Sequence, residues 1–203
     1  MWPLLGFSIL TIALVAERIV FWYRVHRRQR RLVREVLGLY PHDVVTTLHK
    51  LRQNADLPMA RIFLAALELE EPNPEEFRLA LESEAQAEIP GLKRFNTVFE
   101  TIVSLSPLLG LLGTVLGLIV SFASLQVGDV GGSKATGVTA GISEALVSTA
   151  TGLIVAMLAL FFSNIFRSFY LRQMALIQEY GGQLELLYRR RYEREATTYA
   201  SSH

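Results

Sequence analysis

Two stretches of this chain are too long and too apolar for the core of a small soluble domain. Residues 101–125 carry no charge, and residues 136–166 carry one, Glu144. A helix needs roughly 20 apolar residues to cross the hydrocarbon layer of a bilayer. Both stretches meet that length. A third, from about residue 3 to residue 23, is interrupted by Glu17 and Arg18. The expected fold class is an all-α membrane protein with three transmembrane helices. Half of the chain is hydrophobic (51%), more than a soluble domain of this size usually carries.

Charge placement orients the spans. Within the three apolar stretches and the loop 126–135, the only basic residues are Arg18 and Lys134. A cleaved leader carries its basic residues before its apolar core. Here Met1-Trp2-Pro3 comes first, and the basic run Arg24-Val25-His26-Arg27-Arg28-Gln29-Arg30-Arg31 follows the apolar residues. That order describes an anchor with its N-terminus outside and its C-terminal flank in the cytoplasm. The expected layout is span one at 1–23, a cytoplasmic helical region at 24–97 and span two at 98–125. A short external loop at 126–136 leads to span three at 137–166, then a cytoplasmic helix and tail at 167–203. The loop is rich in glycine (Gly128, Gly131, Gly132), and Arg167, Arg172 and the run Arg189-Arg190-Arg191 follow the third span.

The region between spans one and two is expected to be helical. Leu32, Val33, Val36 and Leu37 follow amphipathic spacing, as do Val44, Val45, Leu48 and Leu51, and Ile62, Phe63, Ala66 and Leu67. Pro41, Pro58 and Pro72-Asn73-Pro74 separate them. Glu75 and Glu76 suit a helix N-terminus. The preferred expectation is one long helix from there into span two, kinked at Pro90-Gly91. Two separate helices are the alternative.

Spans two and three carry small residues on one face. In span two these are Gly110, Gly113, Gly117, Ser121 and Ser124; in span three, Gly141, Ala145, Ser148, Gly152, Ala156, Ala159 and Ser163. Steps of three and four keep each set on one side of a helix. Such stripes let backbones approach closely where no hydrophobic effect drives association. Two stripes in a three-span chain point to a homo-oligomer. Hydroxyls are numerous, and a membrane Ser or Thr often bonds only to a carbonyl one turn back. An acid is different, because a carboxyl group inside a membrane is costly and faces protein or water. Glu144 is therefore the first candidate. At ~1.5 Å per residue, Thr114 and Thr149 lie at similar depth, about 16 Å from the outer end of their spans. On an ideal helix Thr149 is turned about 140° from Glu144, whereas Ser148 and Thr151 lie closer to it.

Several function classes find no support. The chain has no cysteine, which removes disulfides, thiolate metal sites and a thiol nucleophile. Its four histidines (His26, His42, His49, His203) lie outside the apolar stretches, and no nucleophile with a base is evident. No catalytic residue, metal site or cofactor is expected, and no nucleic acid partner. The arginine run reads first as a topology signal touching lipid headgroups.

Two runs carry a resemblance. Ser106-Pro107-Leu108-Leu109-Gly110-Leu111-Leu112-Gly113-Thr114-Val115-Leu116-Gly117 resembles the second-span signature of the TolQ/ExbB/MotA proton-channel proteins. Gly141-Ile142-Ser143-Glu144-Ala145-Leu146-Val147-Ser148-Thr149-Ala150-Thr151-Gly152-Leu153 resembles their third-span signature. The resemblance implies a pentamer around a single-span partner of the ExbD or TolR kind, whose membrane aspartate carries the proton. It further implies a TonB- or TolA-like protein beyond, and a place in the bacterial inner membrane with the 126–136 loop in the periplasm. The family's threonines match Thr114 and Thr149, and its acid matches Glu144. The expected path lining is thus Thr114, Glu144, Ser148, Thr149 and Thr151. The expected packing residues are Gly110, Gly113, Gly117, Gly141, Ala145, Gly152 and Ala156. Three spans favour ExbB or TolQ over the four-span flagellar stator protein. Almost nothing precedes span one, whereas some ExbB proteins carry an external extension, so ExbB and TolQ both stay open. The alternative to a channel subunit is a passive scaffold that stabilises its partner.

Overall fold

A computed structural model describes the backbone of residues 2–123 and 133–201, and the side chains of 2–123 and 139–198. The external-loop expectation, including Gly128, Asp129, Gly131 and Gly132, lies outside the described residues, as do Ser124 and His203. Six helices make up the described chain: α1 (Trp2–Leu39), α2 (Val44–Gln53), α3 (Pro58–Leu67), α4 (Pro74–Leu92), α5 (Asn96–Ala123) and α6 (Ser133–Ser201). No strand occurs among the described residues. Three stretches are long and apolar enough to cross a membrane: in α1, in the run Pro74–Ala123, and in Thr139–Thr198 of α6. The chain is an all-helical membrane protein. Its contacts divide into two units, one of residues 1–18 and 95–167, the other of 19–94 and 168–203.

The expected single helix from Pro74 into span two is two helices. Pro90 does not end the first of them, since α4 continues to Leu92. The break comes at Lys93-Arg94-Phe95, where Phe95 takes φ 69°. A bulky residue rarely adopts that left-handed conformation, so the α-helical ladder stops there. Helix α6 likewise begins at Ser133, inside the residues expected to form the loop.

The second unit is organised around α3. Pro58, Met59, Ala60, Ile62, Phe63, Leu64 and Ala66 of this ten-residue helix are all buried. A helix apolar on nearly every side needs cover on every side. Leu51 of α2, Phe77 and Leu81 of α4, Val33 and Val36 of α1 and Leu184 of α6 are buried in the same unit. The start of α4 is fixed locally: the Asn73 side chain accepts from the Glu75 and Glu76 amides, and Glu76 accepts from the Asn73 amide at 2.8 Å. It is also fixed at long range. Tyr188 stacks on Phe77 with ring centroids 4.0 Å apart, and its hydroxyl donates to the Pro72 carbonyl. Arg61 of α3 grips Glu88 of α4 with two hydrogen bonds of 2.5 Å each.

Two tests follow for this unit. Replacing Glu88, whose side chain is 10% exposed, by Ala strands the Arg61 guanidinium. Arg61 itself is 39% exposed, so water screens the loss, and the expected cost is about 2 kcal/mol in detergent unfolding. The second concerns Tyr40, whose phenol burial pushes up to about 12. A raised folded-state pKa means the native state holds its proton longer than the unfolded chain does. The contribution is therefore whole below pH 10 and lost as pH rises toward 12. Melting curves across that window should fall in the native chain and flatten in Tyr40→Phe.

Candidate functional site

Within the first unit, α5 and α6 run antiparallel and touch at the backbone. The glycines measure how closely. A Cβ added at Gly110 would lie 3.1 Å from the Ser148 carbonyl oxygen and from the Thr149 Cα. At Gly113 it would meet the Ser148 Oγ at 2.0 Å, and at Gly117 the Ala145 Cβ at 2.8 Å. From the other side, a Cβ at Gly141 would meet the Ser121 Oγ at 1.9 Å, and one at Gly152 the Ser106 carbonyl oxygen at 2.5 Å. Only hydrogen fits at these positions. The contacts run in order from 106 with 152 to 121 with 141, joining the two small-residue stripes. Ala145 and Ala156 are buried as well.

The polar side chains divide between this contact and the outer surface of the lone chain. Ser148 is 4% exposed and packs against Gly113. The Thr149 hydroxyl crosses to the other helix and donates to the Gly110 carbonyl at 3.1 Å. Thr114 and Thr149, placed at equal depth by counting residues, do not bond to each other: the Thr114 hydroxyl turns back to the Leu111 carbonyl at 2.6 Å. Thr151 turns back to Val147 at 2.8 Å. Each back-bonded hydroxyl keeps its acceptor lone pairs for water or another chain. Glu144 is exposed, whereas its helix neighbours Ala145 and Ser148 are buried. Sequence spacing grouped Glu144 with Ser148, but the α5 contact separates them.

Ser106, which the sequence places only within the second-span run, and Glu100, which it does not single out, lie at the same helices. Ser106 is fully buried, extends the small stripe one turn before Gly110, and has an Oγ without a hydrogen-bond partner among the described residues. Glu100 is exposed on α5. It falls inside the 98–125 span but just before the charge-free stretch. It precedes Thr114 by two heptads, which puts the two on one helix face. Arg18, at the end of the first apolar stretch, is 2% exposed. It pairs with Glu17 at 3.0 Å and sits 5.4 Å from the Phe95 ring.

The faces turned away from the α5–α6 contact are apolar. Leu108, Leu111, Val115 and Ile119 of α5 are exposed, as are Leu146, Leu153, Ile154 and Met157 of α6. The profile of the MotA/TolQ/ExbB proton channel family matches residues 54–179, more than half of the chain and all of the candidate site. A protein of Synechocystis sp. named for biopolymer transport as ExbB-like 3 is 60% identical over 201 residues, 98% of this chain and 96% of the relative. The chain belongs to the MotA/TolQ/ExbB proton-channel family. A second Synechocystis protein, ExbB-like 1, is 42% identical over 93% of this chain and 75% of its own length. The Tol-Pal system protein TolQ of Haemophilus influenzae is 37% identical over 100 residues, 48% of this chain and 41% of that protein. ExbB and TolQ are thus the branches of the family this chain resembles.

The contact makes an asymmetric prediction. Gly152→Ala sets a methyl against a backbone oxygen that no rotamer change relieves, and should cost about 1–3 kcal/mol in detergent unfolding. Ser106→Ala removes an unpaired buried hydroxyl four residues from Gly110, and should be neutral or slightly stabilising.

Proposed function

We propose that this chain is the channel subunit of a proton-driven motor in the bacterial inner membrane. It assembles as a homo-pentamer around a single-span ExbD/TolR-like partner carrying a membrane aspartate. The complex drives a TonB- or TolA-like protein, and so outer-membrane uptake or envelope maintenance. The N-terminus and the 126–136 loop face the periplasm, and the second unit faces the cytoplasm.

One observation carries the reading: Glu144 is exposed on the lone chain within an apolar stretch, near its outer end. An ionisable group at such a place avoids lipid and turns to protein or water. The small faces of α5 and α6 are used on each other, so what meets Glu144 comes from outside this pair. Thr114, Thr151 and Glu144 then line the path, with Glu100 on the α5 face toward its cytoplasmic end. Thr149 and Ser148 shape it from the contact. Glu144 is the one acid within the stretches 101–125 and 136–166 and does not carry a proton across the bilayer alone; the partner completes the route. A carboxylate near the mouth raises the local proton and cation concentration.

The test is proton flux into vesicles holding the complex. Glu144→Gln and Thr149→Val should abolish it with the complex still assembled. Thr149→Ser, which keeps the hydroxyl bonded to Gly110, should retain most of it. Undiminished flux in both Glu144→Gln and Thr149→Val would leave a passive scaffold as the better account.

A further inference from the structure

The second unit contains a cationic groove of about 320 Å³ between α1 and α2. Arg27, Arg28, Arg31 and Glu35 line it from α1, Lys50 from α2 and Asn54 from the cap just after α2, over a floor at the buried Leu32. Part of this charge is tied down. Arg28 donates to Asp56 at 2.6 Å and to Asn54 at 3.0 Å, and Lys50 pairs with Glu35. These pairs hold the two walls together and set the groove's width.

Two guanidinium groups remain for a ligand. Arg27 donates to the Tyr23 hydroxyl at 2.8 Å and lies 5.9 Å from that ring, with no carboxylate partner among the described residues. Arg31 has no ion-pair partner among the described residues either. Four cations against Glu35 and Asp56 leave the groove with two uncompensated positive charges. A guanidinium fork matches a phosphate in geometry and charge. The groove also lies at a particular height along α1. Its first arginine, Arg27, lies one helical turn beyond Phe21-Trp22-Tyr23, the aromatic end of the apolar stretch. Aromatic residues at the end of a span mark the headgroup level of a bilayer.

We propose that this groove is a phosphate-binding site, open to the phosphodiester of a phospholipid headgroup or to a free phosphate. Arg27 and Arg31 bind the anion; Arg28 and Lys50 frame it. Simple surface attraction would treat every arginine of the run alike. A built site would not, and Arg24 and Arg30 supply the comparison, since they carry the same charge on α1 and do not line the groove.

The experiment uses the full chain in detergent as three proteins: native, Arg27→Gln/Arg31→Gln, and Arg24→Gln/Arg30→Gln. In one arm, retention of phosphatidylglycerol is read by native mass spectrometry. In the other, the melting shift caused by inorganic phosphate is compared with chloride at equal ionic strength. The groove variant should bind roughly thirty-fold more weakly, since each basic contact is worth about fivefold. The comparison variant should change less than about threefold, because its charges act only through screened solvent. Loss of lipid retention in the groove variant identifies a headgroup as the ligand. Loss of the phosphate shift without lipid retention identifies the free anion. Equal losses in both variants, or no lipid retention and no phosphate shift in the native chain, would overturn the proposal.

Discussion

The rest of the first unit depends on one contact, the backbone-level approach of α5 to α6. Water drives no association between helices in lipid, so dispersion and close-range polar contacts must hold them. Glycine at 110, 113, 117, 141 and 152 allows that approach, and a single methyl at any of these positions meets an atom within 3.1 Å. Close approach lets the Thr149 hydroxyl reach a carbonyl that is already part of a helix ladder. It also decides which side of each helix remains for another chain. Once Ser148 and Ala145 face α5, Glu144 must face outward.

Much of this was legible from spacing alone. Small residues at steps of three and four mark one helix face on each span; which positions pair is fixed by the structure. The acid stood out because a charge within an apolar stretch is costly. Side-chain destinations were less legible. Ser148 sits 40° from Glu144 on an ideal helix, yet a neighbour on one side is enough to bury one and expose the other. The Thr149 bond to Gly110 spans 39 residues of sequence and carries no local sign.

The break before span two was misleading in the sequence for a physical reason. Pro90-Gly91 reads as the place where the helix bends, but Pro90 removes a single ladder bond and α4 continues past it to Leu92. The turn is made by Lys93-Arg94-Phe95, a run with no residue suited to a left-handed conformation. Its strain is held by context: the Phe95 ring lies beneath the buried Arg18. In the second unit, the amphipathic spacing around Ile62 and Phe63 was visible. The cover on α3's remaining sides was not, because Phe77 meets Tyr188 across 111 residues of sequence.

The central claim is that α6 is shut against α5 along its small-residue stripe, and that Glu144, on the flank of that stripe, meets water and protein in the proposed complex. The native chain has no cysteine, so single cysteines report without background. A thiol reacts with a water-soluble maleimide only where it can ionise, which neither lipid nor a packed helix contact permits. In native membranes holding the whole complex, Glu144→Cys should label readily, and the near-isosteric Ser148→Cys should not. Labelling of Ser148→Cys at a comparable rate, or an inert Glu144→Cys, would contradict the account.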